Sequence, residues 1–365
     1  MKHATSVLAT IGLSAAMIAA AATAASAEKY TLRMGSGHPD SKTPGFYVTE
    51  MVDFFAPEVQ KRVKAKTGDD IEFITAVGGA IVKVNESLEG VQNGLIDIGG
   101  GCWCFEPTKL FLHNFQMYLP FGPQDSAQAT QSARATYNEV PWLAETFEKQ
   151  YNQKLLGLAA IDSYHITTRK PWDKVSDLKG VRIAGAGPNL KWIEFAGAVP
   201  VQSNMAEAYQ ALATGVYDGW IMFPSLTYGF KLYEHAPFYT LIGFGAKIIH
   251  GVTINKQSLA KLPPEVQKIL SEVGVEYEAR VGRILSETKQ VPLDQLAKAG
   301  ATIRTLPGDV RQQWAESLRA WPNEMAQDAN KRSMPGSKVL QHDLVNSEKA
   351  GYVWPVRYEI KDAGS

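Results

Sequence analysis

The segment 177–219 constrains the fold more than any other part of this 365-residue chain. Its short apolar run at 181–183 ends in glycines and a proline, which are strong breakers of regular structure. A helix then extends to Gly197, a second strand covers 199–201, and a second helix covers 206–214. Strands and helices that alternate at this spacing predict parallel strands joined by crossover helices, and therefore an α/β fold.

The first half of the chain repeats this order of elements. Strands are predicted at 30–34, 70–75 and 95–99, with helices over 44–65 and 82–92 between them. Ligands of open parallel sheets bind at the loops beyond the carboxyl ends of the strands. The sequence therefore predicts two open sheets whose strand-end loops carry the ligand contacts.

Four strings of residues in the segment follow a known pattern. They are DLKG at 177–180, GAVPV at 197–201, EAYQAL at 207–212 and TGVYDG at 214–219. On these strings the chain resembles the DctP-type solute-binding proteins of tripartite ATP-independent periplasmic (TRAP) transporters. Further matches, which extend the resemblance over most of the chain, are Gly78 and Gly79, the run 89–99 and residues 119–121.

The resemblance implies a two-lobed solute-binding fold, in which each lobe is an open, mostly parallel sheet flanked by helices and one long helix spans both lobes. It also implies that a small organic molecule is captured between the lobes by hinge closure and delivered to a membrane permease. That permease would consist of a small and a large integral membrane subunit and use an ion gradient. A periplasmic sensor or a secreted enzyme on the same scaffold is the alternative.

One position departs from the family pattern. The family places an arginine after the isoleucine of this motif, where it clamps a substrate carboxylate, whereas Ala184 follows Ile183 here. Alanine cannot form the bidentate pair that arginine forms with a carboxylate. Either a displaced arginine, Arg182 or Arg169, binds an acid, or the ligand is a small amine or an aromatic molecule. We favour the second interpretation.

The loops at the predicted strand ends are rich in aromatic residues and sparse in charge. The candidate ligand-binding residues are His38, Gly78, Gly79, Trp103, Glu106, Asp162, Tyr164, Ala184, Trp220 and Phe223. Aromatic faces beside a carboxylate suit an organic cation, with Glu106 or Asp162 as its counter-charge. Stacked rings suit an apolar aromatic molecule equally well. Taken alone, each aromatic residue is more often part of a core than part of a ligand site.

The N-terminus has the pattern of a secretory signal peptide. Lys2 precedes an apolar stretch at 7–22, and Ala25, Ser26 and Ala27 form a cleavage motif. The stretch is too short and too rich in alanine for a stable membrane span. We therefore expect cleavage after Ala27 and a periplasmic location.

Charge and motif content narrow the function classes. The chain has 37 basic residues (lysine and arginine) and 37 acidic residues (aspartate and glutamate). This balance gives no excess of positive charge that would indicate nucleic-acid binding. The sequence has no nucleophile elbow and no zinc-ligand spacing, and the glycines at 99–101 lack the lysine–serine pair of a phosphate loop. They are interpreted as a site of close backbone approach. No catalytic residue, metal or cofactor is predicted.

The two cysteines, Cys102 and Cys104, are separated by one residue. Residues two apart in a strand point to the same face, and an exported protein permits a disulfide. Bridging them closes a very small ring, so two buried thiols are the commoner outcome. The sequence leaves both states open.

The strand pattern also suggests boundaries between structural units. The predicted units are a signal peptide at 1–27, a first lobe at 28–153 with a return segment at about 241–262, a second lobe at 154–240 with parts of 300–345, a long helix at 263–299, and a C-terminal tail at 346–365. Apolar residues recur at helical spacing along the long helix, which Pro292 should kink or break.

Overall fold

Two mixed sheets form the centres of two lobes in the computed structural model, which describes residues 27–364. The signal peptide predicted at 1–27 lies outside these described residues, apart from Ala27. The strands in chain order are β1 (Lys29–Ser36), β2 (Asp70–Ala76), β3 (Ile98–Cys102), β4 (Gln153–Ala160), β5 (His165–Thr168), β6 (Arg182–Gly185), β7 (Val199–Gln202), β8 (Gly219–Met222), β9 (Phe238–Leu241), β10 (Ile248–Asn255) and β11 (Thr302–Thr305).

The first sheet has the strand order β2-β1-β3-β10-β4, and the second has the order β11-β9-β5-β8-β6-β7. In the first sheet β1 is parallel to β2 and β3, whereas β10 is antiparallel to β3 and β4. In the second sheet β6 is parallel to β7 and β8, whereas β5 is antiparallel to β8 and β9. The predicted two-lobed α/β fold is confirmed, with sheets that are mixed rather than mostly parallel.

Helices pack against both sheets and connect their strands. In chain order they are α1 (Tyr47–Glu50), α2 (Ala56–Thr67), α3 (Ser87–Gln92), α4 (Ser126–Glu139), α5 (Trp142–Gln150), α6 (Leu190–Glu194), α7 (Met205–Thr214), α8 (Pro224–Gly229), α9 (Lys256–Ala260), α10 (Pro264–Thr288), α11 (Gln290–Lys298), α12 (Gly308–Ser317), α13 (Trp321–Lys331) and α14 (Gly336–Lys349). A π-helical turn at Met51–Phe55 joins α1 to α2. Within residues 27–364, no helix has both the length and the apolar character needed to cross a bilayer.

The glycine run at 99–101 lies within β3. A Cβ added to Gly99 would stand 2.3 Å from Val91 of α3, and one added to Gly100 would stand 2.4 Å from the sulfur of Met51. Glycine in a strand interior is typical of such close approach. The run therefore lets helices pack directly on the strand, as the sequence interpretation expected.

The position of β4 differs from the one expected. The sequence prediction begins the second lobe near Lys154, yet β4 pairs with β10 in the first sheet, and the second sheet begins with β5. The pairing depends on β10, which returns from a point almost 100 residues later in the chain. Local sequence patterns carry no information about such a long-range partner.

Two chain segments connect the lobes side by side. Residues 161–164 lead from β4 to β5, and residues 242–247 lead back from β9 to β10. The backbone N–H of Ile161 donates to the carbonyl of Lys247 at 3.0 Å, so the two segments are hydrogen-bonded to each other. We call this pair of segments the hinge, because short paired crossings between rigid lobes are where closure movements concentrate.

The helix predicted over 263–299 is present as α10 and α11, which meet at Lys289. Pro292 is the third residue of α11, where a missing N–H removes no intrahelical hydrogen bond, so the break precedes the proline. Helix α10 packs on β4 and α4 of the first lobe, and α11 packs on α8 and β11 of the second. The two helices together therefore span both lobes.

The predicted tail at 346–365 begins inside α14 and continues to residue 364 without helix or strand. Tyr358 is fully buried, and its hydroxyl donates to the carbonyl of Pro120 at 2.8 Å. Trp354 is also buried. This part of the chain is therefore packed against the body of the protein rather than free of it.

Candidate functional site

A small cavity lies between the two lobes, and we call it the cleft. Its volume, measured as the space that the centre of a water molecule can occupy, is about 50 Å³. Its lining residues are His38, Pro39, Phe46, Cys102, Cys104, Phe105, Ile249 and His250 from the first lobe, and Tyr164, Ala186, Asn204, Met205, Trp220, Met222, Phe223, Leu226 and Phe230 from the hinge and the second lobe. Both lobes therefore contribute to one cavity.

Most of the residues that line the cleft lie at or after the carboxyl ends of parallel strands. In the first lobe, His38 follows β1 and Phe105 follows β3. In the second lobe, Ala186, Asn204 and Phe223 follow β6, β7 and β8. This is the edge at which open α/β sheets bind their ligands, so the cleft lies where the topology predicts a ligand site.

The wall of the cleft carries no formal charge near neutral pH. No aspartate, glutamate, lysine or arginine belongs to its lining within the described residues. Burial lowers the pKa of His38 to about 4. Burial, together with the nearby His38 ring, lowers the pKa of His250 well below its ordinary range. Both imidazoles are therefore neutral at pH 7.

Hydrogen bonds and stacking hold the two histidines. The backbone N–H of His38 donates to Ser36 Oγ at 3.2 Å, and Ser36 Oγ lies 2.9 Å from Tyr47 Oη. Tyr47 Oη in turn lies 2.9 Å from His38 Nδ1. The Tyr47 ring stacks on His250 with 4.3 Å between ring centres, and burial raises the pKa of its hydroxyl. Tyr47 therefore fixes both rings at the first-lobe wall.

Aromatic rings form the second-lobe wall. Tyr164 lies edge-on between Trp192 and Phe223, with 5.5 Å between ring centres on each side. Trp220 is buried and contacts Tyr217 edge-on at 5.4 Å. Three of the sequence-predicted aromatic residues, Tyr164, Trp220 and Phe223, are thus brought together at the cleft.

Cys102 and Cys104 form a disulfide that lines the cleft. The sequence favoured two buried thiols, and this expectation is wrong. The chain turns directly after Cys102, at the end of β3, and this turn brings the two sulfurs together. A Cβ added to Gly187 in the second lobe would stand 2.8 Å from the carbonyl oxygen of Cys104. The bridged turn therefore also makes a close contact between the lobes.

Trp103 and Glu106 lie inside the first lobe instead of lining the cleft. The indole of Trp103 packs 5.6 Å from the ring of Phe147 and 5.7 Å from that of His113. Glu106 shares with Trp103 a separate cavity of about 20 Å³, where its Oε1 has no partner among the described residues. Burial raises the pKa of Glu106 to about 7. The structure does not bring this pair to the cleft.

Asp162 and the two glycines also lie outside the cleft lining. Asp162 is on the hinge and faces a cavity of about 370 Å³ beside α8 and α11, and burial raises its pKa to about 7. Gly78 and Gly79 line another cavity of about 370 Å³, which shares five lining residues with the cleft: His38, Pro39, Asn204, Met205 and Phe230. This adjoining cavity also contains Lys83 and Glu207. The glycines are therefore neighbours of the cleft, whereas Asp162 belongs to the hinge.

Ala184 is fully buried in β6, in register with Trp220 of β8. Residues in register on adjacent strands share a face of the sheet, so a longer side chain at position 184 would share the face of the Trp220 indole. Ala184 itself does not line the cavity.

Arg182 and Arg169, the two arginines considered as replacements, lie at the opposite end of the second sheet. Arg182 begins β6, and its Nε donates to Asp218 at 3.0 Å. Arg169 follows the antiparallel strand β5, and it donates to the carbonyl of Leu212 at 2.7 Å. Neither side chain lines the cleft.

His250 is the main cleft residue that the sequence analysis missed. It lies in the middle of β10, a fully buried strand that was recognised only as a return segment. A single histidine inside an otherwise apolar run was the available signal. Phe46, just before α1, was missed because its position depends on the packing of that helix against the loop after β1. No cluster suited to a metal ion occurs in the part of the chain described here.

Comparison with known proteins identifies the relatives of this chain. The family model for bacterial extracellular solute-binding protein, family 7 (DctP), matches residues 49–328. The C4-dicarboxylate-binding periplasmic protein DctP of Vibrio cholerae serotype O1 is 30% identical over 174 residues, which are 45% of this chain and 51% of that protein. The chain thus matches about half the length of this relative.

Solved structures of TRAP solute-binding proteins share the fold. One from a marine metagenome, specific for aromatic acid ligands and in complex with 3-hydroxybenzoate, has a TM-score of 0.76 at 21% identity and covers 89% of this chain and 100% of its own. DctP7 of Bordetella pertussis, a receptor binding pyroglutamic acid, has a TM-score of 0.70 at 24% identity and covers 86% and 99%. At these identities the likeness concerns the two-lobed fold.

Proposed function

The chain belongs to bacterial extracellular solute-binding protein family 7, the DctP-type TRAP solute-binding proteins, and from this premise we propose that it captures an uncharged aromatic solute between its lobes. The observation that carries the proposal is the cleft wall, which combines aromatic rings with two neutral imidazoles and no formal charge. Members of this family are solute-binding receptors, so the proposed activity is binding rather than catalysis.

Two charged classes of ligand fit the cleft less well. A carboxylate would enter a space without arginine or lysine, and an ammonium would enter one without aspartate or glutamate. Burying an unpaired charge is strongly unfavourable. Glu106 and Asp162, the counter-charges considered for a cation, face other cavities. The two structural neighbours named above bind acids. We propose that this chain differs from them in the charge of its ligand.

Ligand entry requires movement of the lobes. The space of about 50 Å³ is far below the roughly 150 Å³ of an apolar cavity that accepts benzene. The hinge and the junction of α10 with α11 are the places where the lobes can separate. We therefore propose that the lobes open to admit the solute and close around it. Small-angle scattering should show a smaller radius of gyration with saturating ligand than in an opened state without it.

The transport role rests on the family and on the N-terminal sequence. We propose that the protein is exported to the periplasm, cleaved after Ala27, and delivers its solute to the small and large membrane subunits of a TRAP-type secondary transporter. N-terminal sequencing of protein from the periplasm should begin at Glu28. Cross-linking to the two membrane subunits should depend on the presence of solute, and a full-length chain retained in the membrane would contradict the proposed export.

A thermal-shift series on the chain from Glu28 tests the ligand class. The probes are benzyl alcohol, benzylamine and benzoate, which share a ring and differ in charge. A ligand at 100 times its Kd stabilises the folded state by about 2.7 kcal/mol, which is readily measured. We expect the largest shift with benzyl alcohol. A larger shift with benzoate or benzylamine would contradict the proposed ligand class.

Two phenylalanines of the second lobe provide a matched pair of variants. Phe223 lines the cleft, whereas Phe195 is 45% exposed and lies outside its lining. Removing an aromatic contact costs about 0.5–1.5 kcal/mol, so Phe223→Leu should weaken benzyl alcohol binding by about two- to tenfold. Phe195→Leu should leave the affinity unchanged. Equal effects of the two substitutions would place the ligand elsewhere.

A further inference from the structure

His250 carries a buried polar atom without a partner beside the cleft. The residue is 4% exposed and lines the cavity, and its buried Nδ1 has no hydrogen-bond partner among the described residues. A buried polar atom left unpaired is costly, and in native structures it is usually paired by water or a ligand. The apolar surroundings, with Phe46 and Phe105 nearby, provide no protein group that could replace such a partner.

The neighbouring His38 is held by a chain of hydroxyl groups. Its backbone N–H donates to Ser36 Oγ, and both Ser36 Oγ and His38 Nδ1 lie 2.9 Å from Tyr47 Oη. A neutral imidazole carries one proton, and this chain supports either ring tautomer. With the serine donating to the tyrosine and the tyrosine donating to Nδ1, the proton of His38 is on Nε2, which is then a hydrogen-bond donor. In that direction the chain orients a donor on His38.

The spacing of the two rings suits one shared oxygen atom. The ring centres of His38 and His250 are 6.0 Å apart, with 62° between the ring planes. An oxygen hydrogen-bonded to one nitrogen of each ring lies about 4 Å from each ring centre, and the two centres then subtend about 97° at that oxygen. This angle is close to tetrahedral. A hydroxyl group, which accepts one hydrogen bond and donates another, matches a donor on one ring and an acceptor on the other.

We propose that His38 and His250 together recognise a single hydroxyl group on an otherwise apolar aromatic solute, as its specificity-determining residues. This inference rests on the proposed function, because it assigns the polar contacts of the same cleft. His38 donates to the hydroxyl oxygen, and the hydroxyl proton is donated to a ring nitrogen of His250. With His38 as the donor and His250 as the acceptor, a carboxylate would lack a donor for His250, and an ammonium would lack an acceptor for His38.

Benzyl alcohol and toluene test the proposal directly, because they differ by one oxygen atom. Titration calorimetry on the chain from Glu28 should show that benzyl alcohol binds about five- to a hundredfold more tightly than toluene. His250→Phe should reduce this advantage to less than about threefold and leave toluene binding nearly unchanged. His235→Phe, at a histidine outside the cleft lining, is the matched control and should preserve the advantage.

The outcomes separate this inference from the proposed function. If toluene and benzyl alcohol bind equally well to the unmodified protein, recognition of a hydroxyl is wrong and aromatic binding stands. If neither binds, the aromatic ligand class is wrong and this inference fails with it. Should His250→Phe not fold, His38→Phe removes the other partner and must reduce the same advantage. An unchanged advantage in a folded variant would overturn the assignment of that histidine.

Discussion

The two ends of the second sheet differ sharply in charge. At the carboxyl ends of β6 and β8, Ala186 and Phe223 face the cleft without a charged neighbour in its wall. At the amino ends of the same strands, Arg182 pairs with Asp218, and Arg169 lies beside a cavity of about 400 Å³. Cations are therefore available to this lobe. The direction of the strands places them about 10 Å from the ligand edge, too far to act as the missing carboxylate clamp.

The largest expected effect comes from returning an arginine to the ligand end. Ala184 is fully buried, so Ala184→Arg introduces a guanidinium without a counter-charge. An uncompensated buried charge costs about 3–5 kcal/mol, and urea unfolding should show a loss of that size. Benzoate should recover part of the loss, because a carboxylate pairs with arginine in two hydrogen bonds.

Ala184→Met is the control for the size of the new side chain. Overpacking alone costs about 1–3 kcal/mol, and this variant should gain nothing from benzoate. If Ala184→Arg has the same free energy of unfolding as Ala184→Met and benzoate does not stabilise it, a side chain at position 184 does not reach the cleft. The difference in charge between the two ends would then say nothing about the charge of the ligand.

The cleft, which also includes His38 of the first lobe, and the amino end of the second sheet should respond to different ranges of pH. The pKa of His38 is lowered to about 4 by burial, against about 6.5 in an unfolded chain. Between these values the unfolded state binds the extra proton, so His38 reduces the free energy of unfolding as pH falls from 6.5 to 4. The loss amounts to up to about 3 kcal/mol. As the pH falls across this range, the free energy of unfolding of the parent protein should therefore decrease more than that of His38→Gln.

Asp218 provides the matched comparison at the amino end. Partial burial opposes its ionisation, but hydrogen bonds from Arg182 outweigh that effect and lower its pKa below the ordinary value of 3.8. Its contribution is therefore present above pH 3.8 and lost only below it. The difference in the free energy of unfolding between the parent protein and Asp218→Asn should stay constant from pH 7 to 4.5. A flat His38 difference over the same range would contradict a neutral, half-buried imidazole.

The strand-end loops could be predicted because they depend on local patterns. Breakers and apolar runs locate the ends of strands, and the topology rule then places Tyr164, Trp220 and Phe223 near a common edge. Trp103 shows where the sequence argument stopped short. Cys102, Cys104 and Phe105 line the cleft, whereas Trp103 packs into the first lobe. Because β3 ends at Cys102 and a 3-10 turn follows, strand alternation does not decide which of these side chains faces the cleft.

Other features depend on partners that are distant in the chain. His250 enters the site because β10 inserts between β3 and β4, and no local pattern specifies that pairing. The loop carboxylates Glu106 and Asp162 were expected near a ligand, yet packing turns them toward other cavities. Sequence reasoning therefore located the edge of each sheet at which the cleft lies but could not tell which side chains line it.

The Cys102–Cys104 disulfide should contribute modestly to stability. The bridge closes a loop of three residues, and the loop-entropy relation gives about 1.6 kcal/mol for a loop of that length. The double variant Cys102→Ser/Cys104→Ser should lose about this much in urea unfolding. Its effect on benzyl alcohol binding should exceed that of Phe195→Leu, because the bridge lines the cleft and contacts the second lobe near Gly187. A loss of stability without any change in affinity would show that the bridge is structural only.

The smallest effect is expected at the amino end of the sheet. Arg182 and Asp218 are both well exposed, with 44% and 36% of their side-chain surface accessible, and exposed ion pairs contribute about 0–1 kcal/mol. Arg182→Ala should therefore change the free energy of unfolding by less than about 1 kcal/mol and leave the affinity for every probe unchanged. Arg169→Ala should likewise leave the affinities unchanged, although it removes a hydrogen bond to the carbonyl of Leu212. Tight binding of benzoate by the unmodified protein, lost in either variant, would show that a displaced arginine reaches the ligand and that the two ends are not separate.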